Sequence, residues 1–388
     1  MIQFSNRLAQ TEEYYFSKKL KEVKALKEAG KPIINLGIGS PDLSPPKAVF
    51  KDFEMALNEA NAFQYQAYRG IDVLRNAMSA FYKKHYAVHL DAEEELLPLM
   101  GSKEGIMLTS MAFLNEGDEV LIPNPGYPTY AAVTKLLNAV PKFYNLSETT
   151  NWHPDLAALQ KMDLSKVKMM WINYPNMPTG ADADRSQLQE IVNFAIQHDI
   201  LLVNDNPYSM ILTENPFSIF QLTDAKKIAL ELNSLSKSFN LAGFRVGFLA
   251  GKSAFVNAVL KVKSNMDSGM FFPIQQTASK VLKLDKTWFE ELNSVYRKRR
   301  EWIWKIADQL NLDYDTNSTG LFVWAKQKDA KKVADLADQL LYEADIFVTP
   351  GKIFGSQGEA YLRFSLCVEI EDLITSLERV QKLKKKMV

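Results

Sequence analysis

"SLSKSFNLAGFRVGF" (residues 234–248) sets Lys237 between two serines and Arg245 eight positions later, inside an otherwise apolar run. A lysine in such surroundings either sends its amine out to water or carries an amine whose pKa is depressed for use, and the local sequence leaves both open. The flanks are more decisive. "KIALELNS" (227–234) leads into the stretch and "FRVGFLAG" (244–251) ends it, and both read as β-rich runs. Further toward the N-terminus the same texture recurs in "ILLVND" (200–205), "KMMWINY" (168–174), "VPKFYNL" (140–146) and "DEVLIPN" (118–124), with amphipathic stretches between. Strands alternating with helices imply an α/β fold with a mainly parallel sheet covered on both faces. Such sheets bind ligands beyond the carboxyl ends of their strands, so the residues just after each run are the ones to inspect.

From about Asp285 the pattern changes. A long charged amphipathic helix, "KTWFEELNSVYRKRREWIWKIADQL", precedes "GLFVWAK", another helix, "IFVTPG", "YLRFSL" and a last helix, which reads as a separate α+β layer. The N-terminal helix through "EVKALKEAG", closed by Gly30 and Pro32, has no sheet of its own and is expected to pack on that layer. At 388 residues the chain exceeds one hydrophobic core, so two domains or one large domain with a satellite are expected.

The 46 basic residues balance 46 acidic ones, so no net field draws the chain to nucleic acid or an anionic membrane, and small molecules are the expected partners. A single cysteine, Cys367, excludes an internal disulfide framework and a cysteine-based metal cluster. Of four histidines, only His85 and His89 have i, i+4 spacing, and a solvated helix end is the reading preferred over a metal pair. The N-terminus lacks a basic start followed by an apolar core, and no apolar run reaches membrane-spanning length, so a cytoplasmic location is expected. The terminal "RVQKLKKKMV" reads as a last helical turn whose lysines complement the helix dipole.

The strand ends carry the chemistry. After "LLPLM", Gly101, Ser102 and Lys103 open a helix whose free N–H groups make either an anion seat or an ordinary helix start. After "VLIP" a rigid turn presents Tyr127, a ring that core or surface would also explain. After "MMWIN" comes the polar turn "YPNMPTG" (174–180). Asp205 ends the apolar "ILLVND", where burial of a carboxylate is costly unless a cation or ring N–H pairs with it. Lys237 follows "IALEL".

This order resembles the class I/II pyridoxal-phosphate-dependent aminotransferases, the aspartate aminotransferase superfamily of fold type I. The resemblance runs from "NLGIGSPD" (35–42) through "YQAYRGIDVLR" (65–75), "GSKEGI", "PNPGYPTY", "NYPNMPTG", "NDNPY" and "SLSKSFNLAGFRVG" to "PGKIFG" and "YLRFSL". It implies a large α/β domain with a mainly parallel seven-stranded sheet, over 45–283, and a small α+β domain built from both termini, 1–44 and 284–388. It also implies a homodimer with shared active sites, an amino acid and a 2-oxo acid as substrates, and pyridoxal 5'-phosphate as cofactor. On this resemblance Lys237 is the Schiff-base lysine and moves the proton between the substrate Cα and the cofactor. Arg245, Ser234, Ser236 and the N–H groups after Gly101, those of Ser102 and Lys103, hold the phosphate, with Tyr65 reaching it from the neighbouring subunit. Asp205 keeps the pyridine nitrogen protonated, Tyr208 donates to the phenolic oxygen and Tyr127 stacks on the ring. Arg363 grips the substrate carboxylate in a bidentate pair; in isolation it would read as a surface strand arginine. Gly39 lets the carboxylate approach the backbone, and Tyr14 sits where some relatives have a substrate-contacting tyrosine.

One departure stands out. Most relatives carry asparagine just before "PTG", where its amide donates to the cofactor; here that residue is Met177, with Asn176 one earlier. Either Asn176 moves into the role or the hydrogen bond is missing.

Three rival readings exist. A nicotinamide dehydrogenase is rejected, because "GIGSPD" has Pro41 and Asp42 in place of the helix-opening glycine. A non-catalytic cofactor-binding regulator lacks its usual DNA-reading domain and basic patch here. A lyase performing β-elimination or decarboxylation is compatible with Arg363 and stays open. For substrate, "KSNMDSGMFFPIQ" (263–275) resembles the segment that the partner subunit lends in LL-diaminopimelate aminotransferases and related broad-specificity enzymes. With no equivalent of a second arginine for a distal carboxylate, a neutral, aromatic or diaminopimelate-like donor is expected.

Overall fold

The structure is a computed structural model and describes residues 2–11 and 13–387. A two-residue strand, β1 (Ile34–Asn35), follows the N-terminal helix Tyr15–Glu28. The main sheet comprises β2 (Leu96–Leu99), β3 (Glu119–Asn124), β4 (Val140–Asn145), β5 (Val167–Ile172), β6 (Leu201–Asp205), β7 (Ala229–Ser234) and β8 (Gly247–Gly251), in the order β2-β8-β7-β6-β5-β3-β4. Pairings among β3 to β7 are parallel, and β8 runs antiparallel to both its neighbours. Alternate residues supply two buried faces: Met169, Trp171, Leu201, Val203 and Leu230 on one, Met170, Ile172 and Leu202 on the other. Burial on both faces is why these strands read as continuous apolar runs. Reversal of β8 brings its beginning, and Arg245 just before it, to the edge where β5, β6 and β7 end.

The remaining strands are β9 (Asp313–Tyr314), β10 (Phe322–Lys326), β11 (Ile346–Phe347), β12 (Thr349–Pro350) and β13 (Tyr361–Ser365). An antiparallel sheet takes the order β12-β13-β10-β9, and the helices Lys286–Gln309 and Ile370–Met387 pack on it through Leu292, Tyr296, Ile303, Leu373 and Val380. Val23 of the N-terminal helix packs on Leu341 and Phe347, as expected, but the segment does own a strand, since β1 pairs in parallel with β11.

Strand limits differ from the sequence reading for local reasons. The run 244–251 starts as strand only at Gly247, because Arg245 takes a left-handed conformation, φ +55°. The run 227–234 starts at Ala229, since Lys227 and Ile228 finish a short helix. The expectation of a solvated helix end at His85 is corrected: the helix Asp72–Tyr86 presses the half-buried His85 against Phe81 and Phe289, at ring separations of 4.6 and 5.4 Å. His89 lies beyond that helix, exposed. Among the described residues no group of three or more His, Cys, Asp or Glu side chains could hold a metal ion, and no helix is long and apolar enough to cross a membrane.

Candidate active site

A cavity of about 410 Å³ opens where the carboxyl edge of the main sheet meets β10 and β13. Asp205, the last residue of β6, is buried there. Its Oδ2 accepts from the Tyr130 hydroxyl at 2.8 Å, while Oδ1 meets no partner among the described residues. Burial pushes its pKa up to about 6, partly offset by the Tyr130 donor. Tyr130 is itself fixed by stacking on Trp171 of β5, with centroids 4.8 Å apart and planes 5° from parallel.

Lys237 lies in the short helix Leu235–Ser238 directly after β7, capped by Ser234, whose Oγ accepts from the Ser236 N–H at 3.2 Å. The lysine Nζ donates to the Gly39 carbonyl. Burial lowers the amine's pKa; nearby Cys367 opposes this, and Arg363 and Arg245 add to it. A depressed pKa raises the neutral, nucleophilic fraction. Gly39 is a glycine for a reason the sequence does not reveal: a Cβ there would run into the Phe322 ring.

Ser102 and Lys103 open the helix Ser102–Phe113, preceded by Gly101 at φ +86°. A Cβ on Gly101 would strike the Arg245 guanidinium, which the backbone therefore admits only with glycine there. Free N–H groups, the positive end of a helix and a guanidinium converge on one spot, with Ser234 and Ser236 on the cavity wall beside them.

Arg363 sits in the middle of β13, opposite Trp324 and Thr349, and is 4% exposed. Its Nη2 donates to the Gly37 carbonyl at 2.8 Å and its Nη1 to Met177 Sδ at 3.3 Å. The guanidinium carbon lies 3.9 Å from the Phe322 ring centre and 4.6 Å from that of Phe354. No carboxylate pairs with it among the described residues. Burial lowers its pKa to about 10, against the raising influence of the Tyr208 and Tyr14 hydroxyls. A buried cation held by rings and neutral acceptors alone is a seat for an anionic group.

Tyr14, Tyr127 and Tyr208 line the same cavity, and the Lys103 ammonium stands 4.5 Å over the Tyr14 ring. Gly101, Tyr65 and Asn176 do not line the cavity. Tyr65 is 90% exposed on the surface. Asn176 is tied into its own turn: Nδ2 donates to the Asn173 carbonyl at 3.1 Å, and Oδ1 accepts from the Thr179 hydroxyl at 2.7 Å. Asn176 is not among the cavity-lining residues, and Met177 forms that part of the wall. Tyr130 and Asn173 are cavity residues that the sequence reading passed over. Asn173 directly follows an apolar strand, the signal used for Asp205, and Tyr130 lies one helical turn from Tyr127.

Residues 31–380 match the family model for aminotransferase class I and II. The chain belongs to this family. The aminotransferase is 35% identical to the LL-diaminopimelate aminotransferase of Aquifex aeolicus over 386 residues, covering 99% of this chain and all of that one. Its fold superposes on substrate-bound BacF of Bacillus subtilis with a TM-score of 0.93 at 34% identity, covering 99% and 98% of the two chains. A probable N-succinyldiaminopimelate aminotransferase of Thermus thermophilus aligns with a TM-score of 0.87 at 29% identity, covering 95% of this chain and 99% of that one. The family implies pyridoxal phosphate. The residues present fit such a group: Asp205 Oδ1 is buried without a donor among the described residues, and the helix start beside Arg245 suits a phosphate dianion.

Proposed function

We propose that this aminotransferase passes the amino group of an L-amino acid to a 2-oxo acid by a ping-pong sequence, with pyridoxal phosphate joined to Lys237 as a Schiff base. The observation that carries the reading is the Arg363 guanidinium, buried without a carboxylate partner among the described residues, in the cavity that also holds the Lys237 amine. Those two groups answer the two ends of an α-amino acid, its carboxylate and its Cα proton.

When bound, pyridoxal phosphate supplies an aldehyde to join the amine and a protonated ring that withdraws electrons from Cα. Asp205 would hold a proton on the ring nitrogen, while Tyr130 keeps Oδ2 in place. Ser102, Lys103, Ser234, Ser236 and Arg245 would hold the phosphate, Tyr127 would stack on the ring and Tyr208 would donate to its phenolic oxygen. Lys237 would move the proton between the substrate Cα and the cofactor carbon, a task that suits an amine with a depressed pKa. Arg363 fixes the substrate carboxylate, and the Phe322 and Phe354 rings exclude water around it. Among the described residues the arginines lining the cavity are Arg245 and Arg363, so neither remains for a second carboxylate, and a neutral, aromatic or diaminopimelate-like donor stays open.

The working unit of this reading is a cytoplasmic homodimer of two-domain subunits, divided at 45 and 283. The exposed Phe63, Tyr65, Met266 and Phe271 support it, with Tyr65 extending to the phosphate of the other subunit. Borohydride reduction of the yellow protein followed by peptide mapping should place the cofactor on Lys237, and a panel of amino acids should bleach the yellow absorbance in single turnover. Cofactor on another lysine would sink the assignment. Steady release of ammonia or carbon dioxide without a new amino acid would identify a lyase instead.

A further inference from the structure

Met177 is buried in the cavity wall, and its sulfur lies 3.3 Å from Nη1 of Arg363. A guanidinium has five N–H donors. One goes to Gly37 and one to Met177, and of the three left over Nε has no partner among the described residues. A thioether is a weak, uncharged acceptor, so it can fix the guanidinium plane without neutralising the charge. The Met177 backbone is itself held from behind. The Met177 N–H donates to Asn173 Oδ1 at 2.8 Å, and Asn173 Nδ2 donates to the Asp205 carbonyl. An unbroken set of contacts thus runs from the end of β6 to the middle of β13, with Met177 as its link between the two sheets.

We infer that Met177 is a positioning residue for Arg363, a soft anchor that stays in place while the remaining N–H groups take up a carboxylate. The inference rests on the proposed function, in which Arg363 receives the substrate carboxylate. A carboxylate at position 177 would fill the seat that substrate needs, and an aliphatic side chain would leave the guanidinium held on one side only. Affinity for a carboxylate should therefore depend on an acceptor at 177 and not on side-chain volume alone.

The test is calorimetric titration of the holoenzyme with propionate, an amine-free carboxylate, for the parent protein and the Met177→Leu and Met177→Gln variants. Leu keeps the bulk without an acceptor, and Gln offers a carbonyl at similar reach. Loss of one anchor should weaken propionate binding in Met177→Leu by about three- to tenfold, within the usual worth of a hydrogen bond. Met177→Gln should stay within about twofold, and all three proteins should retain cofactor equally. In single turnover the half-saturating amino-acid concentration should rise in Met177→Leu while the saturated rate holds, a split that general loosening of the fold would not produce. Equal affinity in Met177→Leu and the parent, or equal weakening by Leu and Gln, would overturn the inference. Unchanged propionate binding in Arg363→Ala, or none in the parent, would instead remove the carboxylate seat and the functional reading beneath it.

Discussion

The Tyr130 hydroxyl donates to Asp205 Oδ2 across 2.8 Å, whereas Oδ1 of the same buried carboxylate has no donor among the described residues. Half of the carboxylate is satisfied by the fold and half is held open. Burial raises its pKa from 3.8 to about 6, so the folded chain binds this proton more tightly than the unfolded chain does. Between those two values the native state carries more protons, and stability must fall as pH rises. In cofactor-free protein the ionised Asp205 should therefore cost up to roughly 3 kcal/mol above pH 6. Asp205→Asn should be more stable than the parent at pH 8 and close to it at pH 4, measured by urea unfolding without cofactor. Parallel curves at the two pH values would show that Asp205 is not buried as described.

Arg363→Ala should raise the KM for amino-acid donors with little effect on cofactor retention, because its contacts are with Gly37, Met177 and the aromatic wall, away from the helix start at Ser102. A charge-assisted pair is worth roughly 1.5–3 kcal/mol, so kcat/KM should drop at least about tenfold. Steady-state kinetics beside cofactor absorbance separates the two effects. Unchanged kinetics would mean another group binds the carboxylate.

The candidate site residues most legible in sequence are those at the end of an apolar strand. Asp205 and Lys237 announce themselves this way, because a parallel sheet buried on both faces reads as an apolar run with a sharp polar end. Arg245 is legible through the same stretch, but its left-handed conformation, which trims the strand, is not. Whether Asn176 or Met177 faces the cavity depends on the hydrogen bonds of one turn, Asn176 to Asn173 and Thr179, which residue order does not encode. His85 is covered by Phe289, about two hundred residues away, so helix spacing could only suggest exposure. Gly39 is needed because the Phe322 ring of β10 packs against its loop, a contact that exists only once these distant segments meet.

Arg299 offers a stability test away from the chemistry. Its side chain is 1% exposed and holds Asp42 with both terminal nitrogens, at 2.7 and 2.8 Å, and it also donates to the Leu366 carbonyl. Asp42 lies three residues after Gly39, so the pair pins the loop that accepts from Lys237. Asp42→Ala would leave a buried guanidinium without its bidentate partner and should cost about 3–5 kcal/mol. Glu369→Ala removes an exposed partner of the same arginine and should cost less than about 1 kcal/mol. Urea midpoints that rank the two variants the other way would show that Asp42 is not the principal counterion.

His85 contributes to the acid side of the stability curve. Its Nε2 is buried without a partner among the described residues, the ring faces Phe81 and Phe289, and Lys84 stands next to it in the chain. Burial first, and the lysine second, lower its pKa from 6.5 to about 4. The unfolded chain takes up a proton near pH 6.5 that the folded chain refuses until about pH 4, so between these values the unfolded state binds more protons. Stability from this group is then fully present above pH 6.5 and is lost as pH falls toward 4. His85→Phe cannot bind that proton and should keep its aromatic contacts. Between pH 7.5 and 5 the holoenzyme should therefore lose more stability in the parent than in His85→Phe, read as the difference of urea midpoints. The comparison isolates His85, because Asp205 and every other titrating group are common to both proteins. Equal losses would mean that the imidazole reaches solvent and titrates alike in both states.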